Sequence, residues 1–290
     1  MPDGALVAGV TTAPDAVFWR EAMAMADGRT RRIVTHGAVR IDVIDEGSGP
    51  LLVLLPSAAR DSEDFDDVAA AFARAGLRVL RPQPRGMGLG SGPLDGLTLH
   101  DYAADVASVI EDAGPGPAVV LGHAFGQWVA RTLASDRPDL VRGVVLAAAA
   151  SKSIPPALRE TQAKCIDMTL PDAERTAALR VCFFAPGHEP PPSWLAGWHM
   201  ASHRSQRAAT AATKQEEWWE AGTAPVLDLQ AAEDPWRPRE TLDDFRHDLG
   251  ADRVTVVVLE DCSHAMLPEQ PAKVVRAVLD WIRLLPDSGP

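Results

Sequence analysis

The sequence has few cysteines, and their spacing fits no paired ligand motif. Its 290 residues contain three of them, Cys165, Cys182 and Cys262, which leaves an odd thiol. This usage indicates a reducing compartment rather than a secreted disulfide framework. A chain of this length can bury a stable core without a disulfide or a metal staple.

Positive charge is also scarce relative to negative charge. Lysine and arginine total 28 against 40 aspartate and glutamate residues, a formal net charge of -12. Because this charge repels phosphate backbones and anionic membranes, nucleic acid and lipid surfaces are poor partners. We expect a small-molecule substrate, neutral or cationic, and the sequence leaves the oligomeric state open.

Long apolar runs are absent from the sequence. No stretch approaches the 18 consecutive apolar residues of a membrane-spanning helix, and residues 1–9 lack the charged region and apolar run of a signal peptide. Hydrophobic residues at 46% and charged residues at 23% are typical of a globular chain, which excludes a disordered or coiled-coil protein. We therefore predict a cytoplasmic globular protein.

Strand and helix patterns alternate through most of the chain. Strands are predicted at residues 39–44, 51–55, 77–80, 118–121, 141–150, 226–230 and 254–259. Helices are predicted at residues 64–75, 99–113, 127–136, 239–249 and 271–285. The alternation predicts an α/β fold in which helices flank a mainly parallel twisted sheet and the site lies at the carboxyl ends of the strands.

One segment interrupts this alternation. Residues 151–222 carry helical patterns only, at 156–168, 172–183 and 206–221. We predict that this segment is a helical cap, that residues 32–150 and 223–290 form the core, and that residues 1–31 are an N-terminal extension.

Four of the eight tryptophans fall in the predicted cap. Trp194 and Trp198 follow a proline-rich joint, and we predict that they line the substrate pocket, which would favour an apolar or aromatic ligand. Trp218 and Trp219 lie where the chain returns to the sheet, and we assign them to packing.

A glycine-framed motif follows the strand predicted at residues 118–121. It reads Gly122-His123-Ala124-Phe125-Gly126 and leads directly into a helical pattern. A side chain presented on a sharp strand-to-helix turn needs glycine two residues to either side, because a Cβ atom there would collide with the adjoining backbone. The motif resembles the nucleophile elbow, G-x-S-x-G, of the α/β-hydrolase superfamily.

The order of the other candidate groups resembles the same superfamily. Asp234, beside Glu233, follows the next-to-last predicted strand, and His264 follows the last one. The resemblance extends from about residue 32 to residue 285 and includes the turn Pro84-Arg85-Gly86-Met87-Gly88. It implies that His264 is a general base, that Asp234 orients its ring, and that no metal or cofactor takes part. It also implies an oxyanion hole formed by the backbone N–H groups of Phe125 and Ala58.

Position 124 departs from the family pattern, because alanine has no oxygen with which to form an acyl-enzyme. Three interpretations remain open. The alanine is an engineered replacement of serine, or a natural feature of an enzyme in which His264 and Asp234 act on water or substrate without a covalent step, or the mark of a receptor that has lost catalysis. Ser57 is the best alternative nucleophile, ahead of Cys262 and Ser263.

The resemblance implies a cofactor-independent enzyme for a small, mainly apolar ester, lactone or related carbonyl compound. The alternatives are a non-catalytic small-molecule receptor and lyase-type chemistry driven by His264. We assign Asp228, within a predicted strand, a structural role. For His123, packing beneath the turn and contact with substrate are both open.

Overall fold

The computed structural model describes residues 28–152 and 154–286. Within them, eight strands form one sheet in the order β1-β2-β4-β3-β5-β6-β7-β8. The strands are β1 (Thr30–His36), β2 (Val39–Gly47), β3 (Leu51–Leu55), β4 (Arg78–Pro82), β5 (Ala118–His123), β6 (Val141–Ala147), β7 (Val226–Ala231) and β8 (Val254–Leu259). Residues 1–27 of the predicted extension and residue 153 lie outside the described residues, whereas residues 30 and 31 already belong to β1, a strand that the sequence reading missed.

Nine α-helices flank or follow these strands in the described part of the chain. They are α1 (Asp66–Arg74), α2 (Leu99–Ala113), α3 (Phe125–Asp136), α4 (Pro156–Ile166), α5 (Asp172–Cys182), α6 (Met200–Ala212), α7 (Asp244–Leu249), α8 (Met266–Glu269) and α9 (Pro271–Ile282). None of the described helices is long and apolar enough to cross a bilayer.

The sheet is buried between two helical layers. Six neighbouring strands, β4, β3, β5, β6, β7 and β8, pair in parallel, whereas β2 pairs antiparallel with both β1 and β4. Side chains alternate along β3, so that Leu52 and Leu54 pack in the layer that contains α1 and α9, and Val53 and Leu55 pack in the layer that contains α2 and α3. Burial on both faces explains why β3 is a continuous apolar run. The predicted α/β fold is confirmed.

Parallel strands bring four loops to one edge of the sheet. The loops that follow β3, β5, β7 and β8 all leave the carboxyl ends of mutually parallel strands. They carry Ser57 and Ala58, then Ala124, then Asp234, and finally His264. This edge is where ligands bind in open α/β sheets.

Two predicted helices have different bounds in the structure. The helix predicted at residues 206–221 is α6, which begins earlier and ends at Ala212 because Thr213 adopts an extended conformation. The Oγ1 of Thr213 donates to the carbonyl of Ala209 and accepts the N–H of Leu99, so the chain turns there onto the start of α2. The helix predicted at residues 239–249 is divided into a short turn and α7.

Candidate active site

The turn between β5 and α3 has the geometry that its two glycines predict. Ala124 adopts φ +48° and ψ -109°, a conformation that residues other than glycine rarely take. A Cβ atom at Gly122 would overlap the backbone of Gly126 and Gln127, and a Cβ atom at Gly126 would overlap the carbonyl of Leu55. The strained turn therefore persists although the side chain that it presents is only a methyl group.

His264 and Asp234 form a buried hydrogen-bonded pair. The Nδ1 of His264 lies 2.9 Å from Oδ2 of Asp234, and the two side chains are 5% and 0% exposed. The second carboxylate oxygen, Oδ1, accepts the N–H of Trp236 at 2.9 Å. Because an ionised carboxylate can only accept hydrogen bonds, this contact keeps the proton on Nδ1 of His264 and leaves Nε2 free to act as a base.

Aromatic side chains hold the ring of His264 in place. The ring centroids of Phe183 and Trp236 lie 5.5 and 5.6 Å from that of His264. The carbonyl of Phe183 also accepts the N–H of Ala265 at 2.7 Å, which ties the histidine loop to the end of α5. Phe183 belongs to residues 151–222, the segment inserted between β6 and β7, and this inserted segment therefore contributes directly to the position of His264.

His123 packs beneath the turn. Its Nε2 donates to the backbone carbonyl of His264 at 2.8 Å, and its side chain is buried. Burial, reinforced by the nearby His264, lowers the pKa of His123 to about 3. The ring is therefore neutral at physiological pH, and its contacts favour the packing interpretation over contact with substrate.

Replacing His123 with glutamine is expected to make the protein less sensitive to acid. An unfolded histidine titrates near 6.5, so between that pH and about 3 the unfolded state binds a proton that the folded state does not. Acidification in this window lowers the free energy of unfolding, by roughly 2–3 kcal/mol from this group alone between pH 7 and pH 4.5. Urea unfolding at the two pH values should give a smaller loss in His123→Gln, whose amide can still donate to the carbonyl of His264. An equal loss in both proteins would contradict this assignment.

One cavity brings most of the predicted site together. It has an empty volume of about 910 Å³, part of it open to solvent. Five predicted residues line it, namely Ser57, Ala58, Ala124, Phe125 and His264. Asp234 does not line the cavity and is connected to it through its hydrogen bond with His264.

The two backbone segments that carry the predicted oxyanion-hole N–H groups border this cavity. Phe125 is the first residue of α3, and N–H groups in the first turn of a helix have no acceptor within the helix. Ala58 lies in a turn closed by a hydrogen bond from the N–H of Arg60 to the carbonyl of Ser57, in which Ala59 has φ +62°. Both segments are fixed before a ligand binds, which is the requirement for an oxyanion hole.

The sequence profile of the Alpha/beta hydrolase family matches residues 52–277. The chain belongs to this family. Over 114 residues it is 33% identical to 2-(acetamidomethylene)succinate hydrolase from Mesorhizobium japonicum, a match that covers 39% of this chain and only 41% of that protein. It is also 24% identical to Epoxide hydrolase A from Mycobacterium tuberculosis, in an alignment that covers 87% of this chain and 97% of that protein.

Solved structures of the family share the same fold. The crystal structure of E-2-(acetamidomethylene)succinate hydrolase superposes with a TM-score of 0.65 at 24% identity and covers 88% of this chain and 99% of that one. An esterase from Exiguobacterium antarcticum gives a TM-score of 0.71 at 20% identity, with 87% and 98% covered. The prediction that this chain is an α/β-hydrolase superfamily hydrolase is confirmed at this level.

Trp194 and Trp198, which the sequence predicts to line the pocket, are not among the residues that line this cavity. Both rings pack instead against the guanidinium of Arg60, whose Cζ lies 5.0 and 4.9 Å from their centroids. Arg60 is buried and forms an ion pair with Asp64, so the two tryptophans cover a buried charge in addition to packing against Phe183. They build the core of the inserted segment and do not reach the cavity beside His264.

Helices α4 and α6 supply cavity residues that were not predicted from the sequence. Arg159 and Gln162 come from α4, and His203, Gln206, Arg207, Thr210 and Ala211 come from α6. Their spacings of three and four residues place each set on one helix face. This periodicity is visible in the sequence, but the predicted helix began only at residue 206.

Gln206 joins the inserted segment to the oxyanion turn. Its Oε1 accepts the N–H of Ala59 at 2.8 Å, and the residue is 1% exposed. Its Nε2 has no hydrogen-bond partner among the described residues. Gln206 also lines the cavity, although this amide nitrogen is itself buried.

The three alternative nucleophiles predicted from the sequence differ in whether they line the cavity. The Oγ of Ser263 donates to the carbonyl of Glu233 at 3.0 Å, and the thiol of Cys262 is buried, which raises its pKa. Neither residue lines the cavity, whereas Ser57 does. Ser57 therefore remains the alternative that needs a test.

Asp228 and Arg85 have structural partners. Asp228 forms a buried ion pair with Arg237 at 3.2 Å, and burial raises its pKa to about 6. Arg85, in the predicted Arg-Gly turn, pairs with Asp105 of α2. Within residues 28–152 and 154–286, no group of three potential ligand side chains could hold a metal ion.

Proposed function

We propose that this chain is a hydrolase that acts on a small ester, lactone or related carbonyl compound through water activated by His264, without a covalent intermediate. One observation carries the proposal. A buried and hydrogen-bonded His264–Asp234 pair adjoins a cavity in which the elbow residue, Ala124, has no oxygen. Machinery for proton transfer is present, and the usual nucleophile is not.

The proposed step adds one water molecule across the bond that breaks. The water oxygen attacks the carbonyl carbon while Nε2 of His264 takes one of its protons. The carbonyl π electrons move to the oxygen, and the resulting oxyanion is held by the N–H groups of Phe125 and Ala58. When the tetrahedral intermediate collapses, the leaving group departs with the proton from the His264 imidazolium, which Asp234 stabilises until then.

The methyl group of Ala124 leaves space for the water. A serine at position 124 would place its Oγ next to the substrate carbonyl, whereas the methyl group of Ala124 places no oxygen there. We also propose that residues 151–222 form a cap over the site, because α4 and α6 line the cavity and Gln206 contacts the oxyanion turn. A cap limits the solvent around the reacting groups, which strengthens their electrostatic interactions.

The relatives support hydrolysis in general terms. The names of the two curated relatives and of the esterase all denote hydrolytic enzymes. They differ in the bond attacked, so they do not choose a substrate for this chain. Fold similarity by itself cannot do so either, because one fold hosts many reactions.

A panel of p-nitrophenyl esters and lactones tests the proposal. We expect repeated turnover with at least one member, linear product release without a burst, and no acyl adduct in the intact mass of the protein. Ser57→Ala should retain this turnover. An adduct on Ser57 would show a covalent route through that residue, and tight binding without product would favour the receptor, a function to which the missing hydroxyl also points.

A further inference from the structure

The cavity beside His264 carries positive charge and no negative charge. Arg159 of α4 and Arg207 of α6 line it from two different helices, and His203 of α6 also lines it. No aspartate or glutamate is among its lining residues. This composition is unexpected in a chain with 40 acidic and 28 basic residues.

Neither arginine has a carboxylate partner among the described residues. The buried Arg60 and Arg81 have carboxylate partners, Asp64 and Glu46, whereas the side chains of Arg159 and Arg207 are exposed. Arg159 and Arg207 form no ion pair with any described residue. Solvent screens these two exposed charges and leaves both guanidinium groups open to a bound anion.

The charge of Arg207 acts on His203, another side chain of the cavity. His203 is half-buried, and its pKa is lowered first by burial and then by the charges of Arg207 and Arg204. A neutral His203 can accept or donate one hydrogen bond without cost in charge. The potential on this side of the cavity is therefore positive.

We propose that Arg159 and Arg207 bind an oxyanionic group of the substrate, a carboxylate or a phosphate ester, while the carbonyl that reacts lies at His264. The guanidinium group matches the planar, bidentate geometry of such oxyanions. The inference rests on the proposed function in one respect, because it takes this cavity as the substrate site. It replaces the expectation of a neutral or cationic, mainly apolar substrate.

The remaining lining fits a short molecule with two polar ends. Trp128, Ile154 and Trp236 supply apolar surface, and Gln162 and Gln206 supply neutral polar side chains. An acyl compound that carries an acid group a few atoms from its carbonyl would contact the arginines, the neutral polar side chains and the apolar surface of the cavity.

Binding of inert acids, measured by calorimetry, tests the inference without any turnover. The probes are succinate, glutarate and phenylacetate, each paired with its neutral amide, and phenyl phosphate is added to compare the two oxyanions. We expect at least one acid to bind roughly tenfold more tightly than its amide. Arg159→Gln and Arg207→Gln should each remove most of that preference, and added salt should weaken it.

Arg204→Gln is the matched control. Arg204 also lies on α6, and its replacement removes the same charge, but its side chain does not line the cavity. Equal loss of binding in Arg204→Gln and Arg207→Gln would overturn direct contact, and so would acids that bind no more tightly than their amides in every pair. Preference for phenylacetate or for phenyl phosphate identifies the oxyanion, and either preference supports the site.

The two proposals fail in different ways. If the acids bind through Arg159 and Arg207 but no ester or lactone is turned over, the anion site stands and the hydrolase proposal falls. If turnover depends on His264 while acids and amides bind alike, the hydrolase stands and the anion site falls.

Discussion

Replacing His264 with alanine is expected to lower kcat/KM for the best substrate of the panel by roughly 10²–10⁴-fold. The imidazole is the one base in the cavity with a buried carboxylate partner, at 2.9 Å from Asp234. Without it, water must attack unassisted and the leaving group must depart without a proton donor. Steady-state kinetics of purified His264→Ala beside the parent protein measure the loss.

Asp234→Asn separates proton transfer from simple packing. Asparagine keeps the size of the side chain, but its amide can donate to Nδ1 of His264 and so favour the wrong tautomer. We therefore expect a loss of the same order as in His264→Ala, with the fold retained by circular dichroism. His247→Ala, at an exposed histidine of α7, should retain full activity. Undiminished turnover in His264→Ala would refute the proposed mechanism.

The elbow and the His264–Asp234 pair were predictable because local rules and chain order determine them. The glycines at 122 and 126 are required by backbone contacts within the turn and with the end of β3. The order of the parallel strands brings the loops with Asp234 and His264 to the same edge. Neither inference needed the position of any helix in the inserted segment.

The charged side of the cavity was not predictable in the same way. Its position depends on how α6 docks, which long-range contacts decide: Ser202 Oγ donates to the carbonyl of Arg85, and the hydroxyl of Tyr102 donates to Ser205 Oγ. These contacts turn Arg207 toward the cavity, at a register that helical periodicity alone does not give. The contacts of Trp194 and Trp198 with Arg60 were not predictable for the same reason, because composition cannot tell which buried group an aromatic cluster will cover.

Ala124→Ser is expected to convert the site to covalent chemistry. The turn already holds residue 124 at φ +48°, so a serine there would present Oγ to the cavity without a change in the backbone. With His264 as base, the hydroxyl should attack p-nitrophenyl acetate and release about one equivalent of p-nitrophenol per site in a burst, the kinetic sign of an acyl-enzyme. Stopped-flow absorbance and the intact mass of the quenched protein measure the burst and the adduct.

Two variants show whether the adduct arises as proposed. Ala124→Gly, which also lacks an oxygen, should give no burst, and neither should Ala124→Ser combined with His264→Ala, because the hydroxyl would then have no base. A burst in the double variant would place the nucleophile elsewhere, with Ser57 the first candidate. No burst in Ala124→Ser itself would show that His264 and residue 124 are not aligned for proton transfer.

Whether the acyl adduct is hydrolysed shows where the water molecule lies in the site. Hydrolysis of an acyl-enzyme needs water that His264 can activate, and the parent protein is proposed to use such water on the substrate directly. If the serine form acylates and then turns over, the same base serves both routes, and one oxygen atom at position 124 separates them. If it acylates and stalls, Oγ displaces the water that the alanine form uses, which would identify the space beside the Ala124 methyl group as the water site.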